Sequence, residues 1–136
     1  MSFRLREHTA DVAVEATGPD LGATFAAAAE GLAAACHEDP PAGGERFDVV
    51  VRARSREAAL VDFLNELVYE RDVRDVLPVD VEATVRRENE AWVVDASARG
   101  VPLDRIRARE VKAVTYSQLR LAETPDGWEA YVVLDV

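Results

Sequence analysis

Between Leu60 and Val68 the apolar residues Leu60, Phe63, Leu64, Leu67 and Val68 recur at the i, i+3, i+4, i+7, i+8 spacing of a helix that buries one stripe. Beyond Val79 the period changes to two: Val79, Val81, Ala83 and Val85 alternate with polar residues, and so do Trp92, Val94, Ala96 and Ala98. That change of period constrains the fold more than any other feature. A helix stripe and an alternating strand each leave one apolar face uncovered, and each needs a partner to cover it. Ser55 stands where a helix N-cap belongs, with Glu57 in the first turn.

A second helix is predicted from Leu21 to His37, opened by Asp20 after Gly18-Pro19. It is rich in alanine, so it can approach a sheet closely. Leu21, Phe25, Ala29, Leu32 and Cys36 form its expected core stripe. Glu38-Asp39-Pro40-Pro41-Ala42-Gly43-Gly44 reads as a loop. Phe3 to Arg6, Val12 to Ala16 and Phe47 to Arg54 have strand character. Asn89 supplies the turn of one hairpin, and Pro125-Asp126-Gly127 that of another joining Val111–Glu123 to Trp128–Val136. Gly100 to Ala108 is expected to be an irregular connection. Two helices separated by strands, followed by four sequential strands, imply an α+β fold with a mainly antiparallel sheet and both helices packed on it. At 136 residues, 1–136 is expected to be one domain.

The charge balance narrows the function classes. Twenty-six acidic residues against 16 basic give −10, which opposes long-range attraction to nucleic acid or an anionic membrane. A local basic run, Arg105, Arg107 and Arg109, is the exception. The one cysteine, Cys36, excludes an internal disulfide and reads as a buried spacer. No apolar run has the length of a membrane span, and the start Met1-Ser2-Phe3-Arg4 has no signal-peptide core. A cytoplasmic protein is expected.

Of the 16 basic residues a single one, Lys112, is lysine. An ammonium and a guanidinium differ in shape and hydration and do not substitute freely at a site. Its company is acidic: His8-Thr9-Ala10-Asp11 near the start and Asp135 near the end. If Glu123 pairs with Trp128, Tyr116 falls opposite Asp135 and Thr115 opposite Val136. A one-residue bulge would bring Ser117 there instead. Should the Asp11 strand lie beside the last strand, Asp11 and Asp135 could share a hard divalent cation, for which oxygen ligands suit calcium or magnesium. A free α-carboxylate at Val136 would add negative charge. His8 reads more readily as a hydrogen-bonded strand residue than as a ligand. His37 sits at a helix end. Asp62, Asn65, Glu66 and Tyr69 share helical spacing and read as a solvated strip. There is no phosphate loop, zinc motif or nucleophile–base signature, which argues against a serine or cysteine triad. A metal-dependent hydrolase on Asp11 and Asp135 would lack a general base.

Four segments, in order, resemble the archease family: His8-Thr9-Ala10-Asp11-Val12, Leu64-Asn65-Glu66-Leu67, Glu110-Val111-Lys112-Ala113-Val114-Thr115-Tyr116, and Trp128-Glu129-Ala130 through Val133-Leu134-Asp135-Val136. The resemblance spans nearly the whole chain. It implies a strand–helix–strand–strand α+β domain. It also implies a protein cofactor, not itself an enzyme, that activates an RtcB-type RNA ligase in tRNA splicing and RNA repair, promoting guanylylation of the ligase and multiple turnover. The alternative on the same fold is a chaperone-like or regulatory adaptor. By this resemblance the metal-associated positions are Asp11, Asp135 and Val136, with calcium the expected ion and magnesium or manganese the others. The functional lysine is Lys112, with Tyr116 beside it. Two positions depart from the family pattern. Ser117 follows Thr-Tyr where histidine is usual, and Arg105-Ile106-Arg107-Ala108-Arg109 occupies a stretch that usually carries another histidine.

Overall fold

The computed structural model describes residues 1–7 and 11–136. Strand β1 (Ser2–Glu7) is followed by β2 (Asp11–Gly18), helix α1 (Leu21–Cys36), β3 (Glu45–Ala53) and helix α2 (Arg56–Arg74). Then come β4 (Val76–Glu88), β5 (Ala91–Pro102), a 3-10 turn (Leu103–Arg105), β6 (Ala113–Thr124) and β7 (Gly127–Asp135). All pairings are antiparallel. The strands divide into two sheets, β1-β2-β7-β6 and β3-β5-β4. The α+β class and the two helices agree with the sequence. The division into two sheets was not anticipated, and β5 extends into the stretch expected to be irregular.

Both helix starts are fixed by the expected caps. Asp20 Oδ1 accepts from the Ala23 N–H (2.8 Å), and Ser55 Oγ accepts from the Ala58 N–H (3.0 Å). Burial on α1 goes well beyond one stripe, because Gly22, Thr24, Ala27, Ala28, Gly31 and Ala33 are buried together with Phe25, Leu32 and Cys36. A helix buried on opposite faces lies between two partners, and the glycines identify them. A Cβ on Gly22 would lie 2.5 Å from the Ala83 carbonyl oxygen of β4. One on Gly31 would lie 2.4 Å from a Val14 methyl of β2. These residues are about two and a half turns apart and so occupy opposite faces. Helix α1 is therefore wedged between the sheets, and small residues permit the approach.

Helix α2 packs against β3 of one sheet and β6 of the other. It meets α1 through Phe63 and Phe25, whose rings stack with centroids 6.2 Å apart. At its first residue, the Arg56 guanidinium lies 5.7 Å from the Trp92 ring centroid on β5 and 4.9 Å from that of Trp128 on β7. One cation thus bridges the two sheets.

The β6–β7 ladder corrects one expectation. Glu123 does pair with Trp128, as read from the turn, and Arg120 with Tyr131. Between Arg120 and Thr115 the register shifts, so that Thr115 meets Val133 and Ala113, not Tyr116, meets Asp135. The surplus residues on β6 leave the ladder as a bulge, in which Gln118 has φ 57°. Tyr116 and Ser117 lie in this bulge rather than opposite Asp135.

Candidate functional site

Strand β2 begins at Asp11 and β7 ends at Asp135, and antiparallel pairing sets these two residues opposite each other. Val12, Val14 and Ala16 on one strand and Leu134, Val132 and Ala130 on the other are buried against the helices. Side chains alternate across a sheet, so Asp11 and Asp135 share the outward face. Directly opposed side chains on one face sit about 5 Å apart at Cβ. Asp135 is exposed and Asp11 half-buried. On the far side of β7, Asp135 is flanked by Ala113 at the start of β6.

Lys112 stands at that start. Its N–H donates to the Asp135 carbonyl oxygen (2.8 Å), and its side chain is exposed. Among the described residues, none of Asp11, Lys112 and Asp135 enters an ion pair. The backbone around Lys112 is held from below by α2. Arg71 is 8% exposed, and its Nη1 donates to the carbonyl of the fully buried Val111 (2.8 Å). Asp72 Oδ1 accepts from Arg71 Nε and Nη2, both at 3.1 Å, and so meets the buried charge. Asn65 takes both polar groups of Val114. Its Oδ1 accepts from the Val114 N–H (2.8 Å), and its Nδ2 donates to the Val114 carbonyl (3.0 Å). A carboxamide carries the same donor–acceptor pair as a peptide unit. At this sheet edge it stands in for the missing neighbouring strand.

Asn65 belongs to the strip read from sequence as solvated, and that reading holds for exposed Asp62 and Tyr69 but not for Asn65. Neither Asn65 nor Arg71 announced its role, because their three bonds to Val114 and Val111 join residues far apart in the chain. The only foreshadowing was that Asn65 lies in one of the four segments carrying the family resemblance. Cys36 is buried and free, as read. Burial pushes its thiol pKa up against the opposing pull of Arg71. His37 caps α1 and donates through Nδ1 to the Arg107 carbonyl (3.1 Å). His8, the other histidine considered, lies outside the described residues. Tyr116 is exposed in the bulge, and Val136 follows Asp135 at the same end of the sheet.

The donors that Asp11, Asp135 and Val136 bring to this tip are oxygens. Two aspartates on one face, with a main-chain oxygen at Val136, suit a hard divalent cation that keeps several waters. Among the described residues no group of three or more His, Cys, Asp and Glu side chains converges to make a full protein cage. No helix among them is long and apolar enough to cross a membrane.

Residues 3–136 match the model of the Archease protein family (MTH1598/TM1083). Protein archease of Methanosarcina acetivorans is 35% identical, over 98% of this chain and 95% of its own length. Protein archease of Thermococcus gammatolerans is 34% identical, over 96% and 95% respectively. Among solved structures, Protein 1598 of Methanobacterium thermoautotrophicum superposes with a TM-score of 0.84 at 25% identity, over 99% of both chains. An archease of Thermotoga maritima, described as a possible chaperone, shares the fold with a TM-score of 0.61 at 22% identity, over 98% of this chain and 96% of that one.

Proposed function

The chain belongs to the archease family, and on that premise we propose that it is a protein cofactor activating an RtcB-type RNA ligase in tRNA splicing and RNA repair. The observation that carries this reading is the pairing of Asp11 with Asp135 beside the segment that bears the only lysine. An acidic, oxygen-only pair near an exposed ammonium can serve a partner whose own chemistry uses metal and nucleotide phosphate. Asp11, Asp135 and the main-chain oxygen of Val136 would hold a divalent cation, with calcium, magnesium and manganese as candidates. Such a cation, when bound, supplies positive charge to phosphate oxygens. Lys112 offers a strongly hydrated point charge to a phosphate on the same side. The carboxylates hold the tip apart from nucleic acid by repulsion, consistent with action on the ligase rather than directly on RNA.

The test is multiple-turnover ligation by an RtcB-type ligase with and without this protein. Stimulation is expected. Asp11→Ala and Asp135→Ala should each reduce it at least about tenfold, a loss of about 1.4 kcal/mol in effective coupling, while circular dichroism shows an intact fold. Absence of stimulation by the unaltered protein would reject the reading. The second reading, a chaperone-like adaptor, draws on the description of the Thermotoga relative. Suppression of aggregation of unrelated clients, unaffected by the aspartate changes, would favour it.

A further inference from the structure

We propose that Asn65 and Arg71 are positioning residues that set the register of β6 and thereby fix Lys112 beside Asp135, an inference that rests on the ligase-activator reading of Lys112. Strand β6 carries more residues between Thr115 and Arg120 than β7 needs between Val133 and Tyr131. Nothing in the β7 ladder itself dictates how many residues that surplus holds. A bulge holding one residue more or fewer would slip everything before it by one place and turn those side chains to the other face of the sheet. Ala113 would leave Asp135, and the Lys112 N–H would lose its bond to the Asp135 carbonyl.

Helix α2 removes that freedom at two points. Asn65 engages both the N–H and the carbonyl of Val114, and only one residue at a time can satisfy such a two-way bond. Arg71, nine-tenths buried, engages the Val111 carbonyl. Between them lie Lys112, whose N–H is bonded to Asp135, and Ala113, which faces Asp135. The clamped segment ends one residue before Thr115, the last paired residue ahead of the bulge, so the surplus is confined downstream. Asn65 and Arg71 lie six residues apart on a packed helix, and that rigid element transmits its own position to the lysine-bearing segment.

The experiment combines amide exchange with ligation kinetics. Asn65→Leu removes both bonds to Val114, and Arg71→Met removes the bond to Val111 at similar volume. In each, exchange at the Lys112 and Val114 amides should accelerate by about tenfold or more, while Val49 and Val94 on the other sheet stay protected. Maximal stimulation of the ligase should fall about tenfold with the half-saturating activator concentration unchanged. Arg71→Lys, which keeps one donor, should recover part of it. In a Lys112→Ala background Asn65→Leu should cost nothing further, because it acts through the lysine. Unchanged exchange at 112 and 114, or losses that simply add in the double variant, would overturn the proposal. If the unaltered protein stimulates no ligase, the ligase-activator reading falls, and the exchange measurement still decides the anchoring by itself.

Discussion

Opposed carboxylates on a sheet face repel one another, and like charges directly across a ladder cost stability. At Asp11 and Asp135 the fold tolerates this because Asp135 is exposed and water screens the pair. A second acidic residue is strained for a different reason. Burial raises the pKa of Glu30 above its ordinary value of 4.5, and nearby Asp80 raises it further. The folded state therefore holds this proton more tightly than the unfolded chain does. That preference contributes stability below pH 4.5 and loses it as pH rises through the raised value. Glu30→Gln is accordingly expected to raise the melting temperature at pH 7 and to leave it unchanged near pH 4, as thermal denaturation at the two pH values will show. Lys112 was legible as an oddity of composition, and the two aspartates as candidates. What residue identity could not convey was the pair Asn65 and Arg71, since a side chain bonding a backbone 49 residues away leaves no local trace.

The helices were the most legible elements, because period, caps and breakers all agree at Asp20 and Ser55. The burial of α1 on two opposite faces was less so, since alanine is compatible with one covered face or with two. Its glycines decide the matter and yield a test. Gly22→Ala improves helix propensity by about 1 kcal/mol, but its Cβ meets a backbone oxygen that cannot swing aside. Overpacking of this kind costs about 1–3 kcal/mol. A net loss of stability in urea denaturation is expected, in contrast to the gain at an exposed helix glycine. The register of β6 failed to emerge from the turn because the bulge has no sequence marker. Its left-handed residue is Gln118, whereas glycine or asparagine would have signalled the departure. Counting back from Glu123 therefore lands on Tyr116, although Ala113 holds the place.

Across the whole molecule, the division into two sheets depends on pairings such as Asp11 with Asp135 and Glu45 with Gly100, which alternation alone cannot assign. The sheets are joined by the helix layer and, at one end, by Arg56 between Trp92 and Trp128. Removing that bridge with Arg56→Ala should cost about 1 kcal/mol. It should also change the fluorescence of both tryptophans, the only two in the chain, so a single emission spectrum checks it.

Strand β7 occupies the interior of its sheet, with β2 on one flank and β6 on the other. During synthesis its neighbours emerge first and wait for the piece that joins them. A nascent polypeptide halted before that piece has acidic and ammonium groups with no common address. The pairing of Asp11 with Asp135 thus forms only when translation has passed residue 135.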